Sequence, residues 1–275
     1  MSGKLASEIT YARGGDVPVL VVAFRRPDLT SQLIRRLREQ QTQRLFIAID
    51  AASNDQDAPL VQAVHRVVSE EVDWPCELTV NTRKTNGGLR QAMVESIGWF
   101  FSHVEEGIIL EDDCLPSADF FELCADLLPR YRHNPRVLQI AADNSAKVEI
   151  SQNWSYCFVR YPHIWGWATW SSAWQLYDGD LRLWEAFTDA DMVRDVFPDA
   201  DIRKVWPVVY DELLRSNTPD SWAFRWAATV AMFDGLSVQP IANLVSNNGF
   251  GGGATHTTLP GERSAAVTGG LGKII

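Results

Sequence analysis

No stretch of this 275-residue chain is apolar for long enough to span a bilayer, and its start, Met1-Ser2-Gly3-Lys4, lacks the apolar core of a secretory leader. The expectation is a cytoplasmic protein without a transmembrane segment, peripheral to a membrane at most. Cysteine is scarce: Cys76, Cys114, Cys124 and Cys157 show neither CxxC spacing nor the density of a disulfide scaffold, so they read as reduced thiols. Basic charge is in deficit, with 25 Lys+Arg against 35 Asp+Glu and a net charge of −10, which argues against a sequence-independent grip on phosphate backbones. A nucleic-acid partner is thereby disfavoured, though a local basic groove stays open. No GxGxxG follows the first apolar run, which removes the dinucleotide-binding fingerprint. There is no internal repeat and no low-complexity tract.

Tryptophan, in contrast, is abundant, with 11 residues, many of them between Trp154 and Trp226. Indole faces suit both cores and sugar rings, and core packing is the expected fate of at least half of them.

The run Val19–Ala23 is short and continuously apolar, as in a strand buried on both faces of a parallel sheet. Leu29, Leu33, Ile34 and Leu37 then recur at helical spacing, and Leu45–Ile49 predicts a second buried strand ending at Asp50. The alternation continues: a helix on Leu60, Val61, Val64, Val67 and Val68, a strand at 78–80, and a turn at Asn86-Gly87-Gly88. Next come a helix through Met93, Ile97 and Phe101, a strand at 107–110, a helix over 118–131 and a strand at 137–140. This order implies an α/β fold, Rossmann-like and doubly wound around a mostly parallel sheet. After Asn144 the chain turns aromatic-rich and irregular, with one further helix expected at about 221–233. One domain is expected over residues 17–258: a nucleotide-binding half at 17–144 and an acceptor and catalytic half at 145–258. Residues 1–16 and 259–275 are expected to be flexible ends.

Ligands of open α/β sheets bind outside the carboxyl ends of the strands, where this chain carries Arg25-Arg26, Asp50 and Glu111-Asp112-Asp113. Three consecutive carboxylates repel one another unless a cation, a donor-rich ligand or water relieves them. A hard divalent ion held by one or two carboxylates and completed by substrate phosphates is one reading, and capping of the next helix is the other. At Asn86-Gly87-Gly88, backbone N–H groups could approach a phosphate with Arg90 adding positive charge, or the segment is a plain turn.

Taken together, Arg25-Arg26-Pro27, Asp50, Asn86-Gly87-Gly88-Leu89-Arg90, Ile108-Ile109-Leu110-Glu111-Asp112-Asp113-Cys114-Leu115-Pro116-Ser117-Ala118-Asp119-Phe120-Phe121, Trp165-Gly166-Trp167-Ala168-Thr169-Trp170 and Asn243-Leu244-Val245-Ser246-Asn247-Asn248-Gly249-Phe250-Gly251 resemble a GT-A-fold, nucleotide-sugar-dependent glycosyltransferase. The chain resembles bacterial proteins akin to the alpha-mannoside N-acetylglucosaminyltransferases, over roughly residues 17 to 257. The resemblance implies a UDP-sugar donor carrying N-acetylglucosamine or a hexose, a glycan acceptor, Mn²⁺ or Mg²⁺, and transfer with inversion. It implies Asp113 as metal ligand, Asp112 on the donor ribose, Glu111 on the donor sugar, Arg25 on the nucleotide or its phosphates, and Asp50 on the base. Asn86, Gly88 and Arg90 would flank the nucleotide, and His256 would reach the metal or the diphosphate. Trp165, Trp167 and Trp222 would wall the sugar and acceptor pocket.

One position departs from that pattern. The family's general base is an acid directly after a tryptophan, whereas here the segment reads Asp220-Ser221-Trp222-Ala223-Phe224-Arg225-Trp226. A methyl group accepts no proton. Three accounts stay open: Asp220 acts as the base, the chain is a natural non-catalytic carbohydrate binder on the same fold, or Ala223 is an engineered substitution of the acid. Sugar nucleotidyltransfer is disfavoured because Phe24-Arg25-Arg26-Pro27 contains no glycine-rich phosphate loop. Glycosyl transfer to modified DNA is disfavoured by the net charge of −10.

Overall fold

A computed structural model of the chain describes residues 9–144, 154–190, 192–218, 220–249, 271 and 274. The described residues form ten strands: β1 Val19–Ala23, β2 Arg44–Ile49, β3 Glu77–Thr82, β4 Glu106–Glu111, β5 Cys114–Pro116, β6 Val137–Ala141, β7 Tyr156–Val159, β8 Trp167–Trp170, β9 Leu236–Pro240 and β10 Val245–Asn247. Helices α1 Pro27–Glu39, α2 Ala58–Glu71, α3 Gly88–Phe101 and α4 Ala118–Tyr131 connect the strands of the first half. Then follow α5 Ser171–Trp174, α6 Arg182–Asp189, α7 Val193–Val196, α8 Ala200–Arg203, α9 Trp206–Ser216 and α10 Trp222–Met232.

The central sheet runs β3-β2-β1-β4-β8-β6-β9-β7, and β5 pairs separately with β10. From β3 to β4 all neighbours are parallel, and so are β6 and β9. β8 enters antiparallel between β4 and β6, and β7 closes the far edge antiparallel to β9. The fold is therefore α/β with a mostly parallel sheet. The chain steps outward from β1 to β2 to β3, then returns to place β4 on the other side of β1. That reversal opens a crevice between the carboxyl ends of β1 and β4, where doubly wound sheets bind ligands.

Apolar periodicity explains the layers. Leu33, Ile34 and Leu37 of α1 and Val64 of α2 are fully buried, as are Val19, Leu20, Val21 and Ile47 in the strands. Burial of each such side chain contributes about 1.5–3 kcal/mol. Phe46 and Phe100 meet edge to face at 5.2 Å and tie α3 to the sheet. A second apolar cluster, built on Trp184, Phe197, Tyr210 and Leu213, holds the short helices that follow the sheet's antiparallel strand.

Parts of both ends expected to be flexible are packed. Gly14–Asp16 form a 3-10 turn whose glycines are buried, and the Gly14 N–H donates to Glu122 Oε1 at 2.9 Å. Leu271 donates its N–H to Asp119 Oδ2 at 2.8 Å, and Ile274 packs against the core. Gly14 lies against Phe121 of α4 and Leu271 bonds to Asp119 of the same helix, contacts between residues far apart in the chain that local sequence patterning does not reveal.

Candidate functional site

Backbone hydrogen bonds set the floor of the crevice. Asp50 N donates to Ala23 O and Asp112 N to Val22 O, both at 3.1 Å, which brings the ends of β2 and β4 level with the end of β1. Above them opens a cleft of about 840 Å³, within the range of small-molecule sites. Its lining brings together Arg25, Asp50, Asn86, Gly88, Glu111, Asp112, Asp113, Trp165, Trp222 and Ala223.

Pro27 starts α1 at its first helical position and keeps Arg26 out of helical conformation, at φ −119° and ψ 72°. The Arg26 side chain crosses the crevice: Nη1 donates to Asp113 Oδ2 at 2.7 Å and to Asp112 Oδ1 at 3.2 Å. Asp112 also accepts from Phe24 N at 3.4 Å. Burial pushes the Asp112 carboxyl up to about 6 against the pull of Arg26. Glu111 is pushed up to about 8 by burial, reinforced by Asp113 and Asp112. Arg25 leaves this acid group and binds Asp57 Oδ1 at 2.6 Å. Asp57 is held below its ordinary range by hydrogen bonds from Ser53 and then Arg25.

The opposite wall is a polar clasp around Asp50. Asn86 Nδ2 donates to Asp50 Oδ2 at 3.0 Å and to Ala51 O at 2.8 Å, while its Oδ1 accepts from Gly88 N at 3.0 Å. Arg83 Nη1 reaches Asp50 Oδ1 at 3.3 Å. Burial raises the Asp50 carboxyl, partly offset by Arg83.

Three expected residues lie elsewhere. Gly166 turns the chain at φ +65°, so Trp165 reaches the cleft while Trp167, the next residue, starts β8 inside the core. Trp167 stacks on Trp222 at 5.7 Å and also meets Trp226 and Trp174, and so belongs to an indole cluster beneath the cleft rather than to its wall. Of the two, only Trp165 lines the cleft, as the resemblance implies for both. Arg90 and Asp220 bind each other in an exposed ion pair between the first turn of α3 and the residues just before α10, and do not line the cleft. His256 lies outside the described residues.

Arg83 escapes sequence reasoning, and Arg26, named with Arg25 at the end of the first strand, receives no role of its own there. Arg83 follows β3 directly, so the strand-end rule that singled out Asp50 also covers it. Arg26 is indistinguishable from Arg25 until the turn before Pro27 decides which of the two points inward.

The acid side carries carboxylates of the kind a hard divalent ion takes. The described residues contain no group of three or more His, Cys, Asp or Glu arranged around a metal position, but a hard ion needs only one or two protein carboxylates. Arg26 already places a cation between Asp112 and Asp113. Gly249 leaves the space open, since a Cβ there would come within 2.2 Å of Asp113 Oδ2.

No family model matches the chain, and no curated protein does. Among solved structures, the chain is similar to UDP-glucose pyrophosphorylase complexed with UDP-glucose, at 9% identity and a TM-score of 0.35, over 58% of this chain and 78% of that one. No functional conclusion follows from a likeness that distant.

Proposed function

We propose that the chain is a metal-dependent, inverting glycosyltransferase that moves N-acetylglucosamine or a hexose from a UDP-sugar to a glycan hydroxyl. The observation that carries this reading is the juxtaposition, at the crossing between β1 and β4, of the Glu111-Asp112-Asp113 acids with the Arg26 guanidinium, opposite the Asp50–Asn86 clasp. A diphosphate carried on a divalent ion would suit the first group, since the acids alone would repel it, and the hydrogen-bonding edge of a base suits the second.

In this reading Asp50 accepts from the base, using lone pairs that Asn86 and Arg83 leave free. Asp112 accepts from a ribose hydroxyl and Glu111 from the donor sugar, whose ring lies against Trp165. Asp113 would hold Mn²⁺ or Mg²⁺, which when bound offsets the charge developing on the leaving diphosphate. Arg26 supplies fixed positive charge on the same side. Catalysis then rests on orientation and electrostatics without a covalent enzyme intermediate.

A second reading is favoured by Ala223, which lines the cleft with a methyl group. On that reading the chain binds carbohydrate and transfers nothing.

Calorimetric titration with UDP, with and without Mn²⁺, tests the proposal. Binding that requires Mn²⁺ is the expected result. Absence of binding in both conditions would overturn the donor assignment, and binding of free glycans alone would establish the second reading.

A further inference from the structure

The central sheet ends at β7, with no described strand beyond it. Its register with β9 sets Tyr156 opposite Pro240, Cys157 opposite Gln239 and Phe158 opposite Val238. Pro240 has no N–H to give, and Ile241 N donates to Ser155 O at 3.0 Å. Hydrogen-bonded and non-hydrogen-bonded pairs alternate along an antiparallel ladder, so Ser155, Cys157 and Val159 turn their peptide groups toward β9. Tyr156 and Phe158 turn theirs outward, where no described residue bonds to them.

Edge strands are ordinarily guarded by charge, by proline or by a bulge. The opposite edge of this sheet, β3, carries Glu77, whose side chain is 80% exposed. Tyr156-Cys157-Phe158-Val159 holds no charge and no proline, and its ladder with β9 runs without a shift of register. Its outer side is aromatic instead. Trp154 is 58% and Phe158 45% exposed, while Tyr131 of α4 meets the rings of Tyr156 and Phe158 edge-on at 6.3 and 5.5 Å. Exposed rings beside unpaired peptide groups mark a contact surface.

This edge is complementary to itself. A two-fold axis at Cys157 sets Tyr156 of each copy opposite Phe158 of the other, so that every outward N–H meets an outward C=O. The same register lays Trp154 opposite Arg160, which Asp234 holds at 2.8 Å and leaves 46% exposed, and a guanidinium is attracted to an indole face. An axis at Phe158 would set Trp154 against Pro162, which has no N–H, and an axis at Tyr156 would take Arg160 away from the indole.

We propose that β7 pairs with β7 of a second copy of this chain, antiparallel about a two-fold axis at Cys157, and so joins two sheets into one. No residue from 154 to 160 lines the cleft, and β9, β6 and β8 separate β7 from β4, so the pairing leaves both clefts open. It holds whichever reaction the cleft performs.

Light scattering across a concentration series tests the association, with twice the monomer mass expected at the upper end. Phe158→Lys puts a cation at an exposed position on each side of the axis and should weaken the dimer about tenfold or more. Disulfide trapping tests the register without relying on that variant. At the axis the two Cys157 Cα atoms stand about 4.5 Å apart, inside the span of about 4.4–6.8 Å that a disulfide bridges. Cys157 is a free, partly exposed thiol. Oxidation with copper–phenanthroline should therefore give a covalent dimer in wild type and in Cys76→Ser, and none in Cys157→Ser. A single-copy mass at every concentration overturns the proposal, as does a dimer that Phe158→Lys leaves intact or that Cys157 does not cross-link. A monomer whose binding of oligosaccharides weakens in Trp154→Ala overturns it too, and makes the aromatic row a sugar surface.

Discussion

Arg26 and Asp113 meet at 2.7 Å across the crevice between β1 and β4, so that a guanidinium from one strand end neutralises the acids of the other. Asp112 shares the same nitrogen at 3.2 Å. The three side chains are mostly shielded from solvent, and the attraction is screened less than at a surface.

Arg26→Gln therefore leaves two neighbouring carboxylates without their cation. The expected loss is about 2 kcal/mol in the absence of metal, less than the 3–5 kcal/mol of a fully buried pair because this one keeps some contact with water. Mn²⁺ should recover most of it. Urea unfolding of the variant with and without Mn²⁺ measures both, and identical midpoints for variant and wild type would contradict the assignment.

Stability should also fall as pH rises. Glu111, raised to about 8, and Asp112, raised to about 6, bind protons more readily folded than unfolded. Their protonated forms favour the folded chain below the ordinary carboxylate range, near 4. That contribution disappears as pH climbs from about 4 through about 8. Glu111→Gln should flatten the slope between pH 5 and 8, as read from denaturant midpoints at a series of pH values. A slope unchanged in the variant would exclude Glu111 as its source.

The two tryptophans flanking Gly166 should separate stability from binding. Trp167→Ala opens a hole in the indole cluster and should cost about 3–5 kcal/mol. Trp165→Ala, at the cleft wall and only partly buried, should cost less than Trp167→Ala while weakening affinity for the sugar-bearing donor relative to UDP. Thermal unfolding and paired titrations with UDP and UDP-sugar distinguish the two, and equal destabilisation would refute the division.

Gly249→Ala places a methyl group against Asp113, where the Cβ has 2.2 Å to Oδ2 and 3.0 Å to the Asp113 Cβ. Either the Asp113 carboxylate or the loop must move. The expected outcome is about tenfold weaker Mn²⁺-dependent UDP binding, read by calorimetric titration. Wild-type affinity in this variant would show that Asp113 is not the ligand.

Much of the first half was legible from local pattern. The continuous apolar runs at Val19–Ala23 and Leu45–Ile49 and the 3.6-residue period of Leu33, Ile34 and Leu37 correspond to β1, β2 and α1, because strands and helices buried within one domain have only those ways to hide apolar side chains. The strand-end rule likewise gathered Asp50 and Glu111-Asp112-Asp113, since parallel strands deliver their carboxyl ends to one edge. β8 escaped this reasoning: four residues between aromatic segments carry no period, and only pairing with β4 and β6 makes them a strand.

By itself, then, the sequence determined the layered α/β architecture and the edge on which polar residues collect, because burial periodicity and turn chemistry act over a few neighbouring residues. Tertiary structure alone decided that Arg26 rather than Arg25 faces the acids, that Trp165 and Trp167 part company at Gly166, and that Arg90 and Asp220 pair with each other. Each of those outcomes depends on a partner distant in the chain or on the backbone direction at one turn, neither of which local sequence patterning encodes.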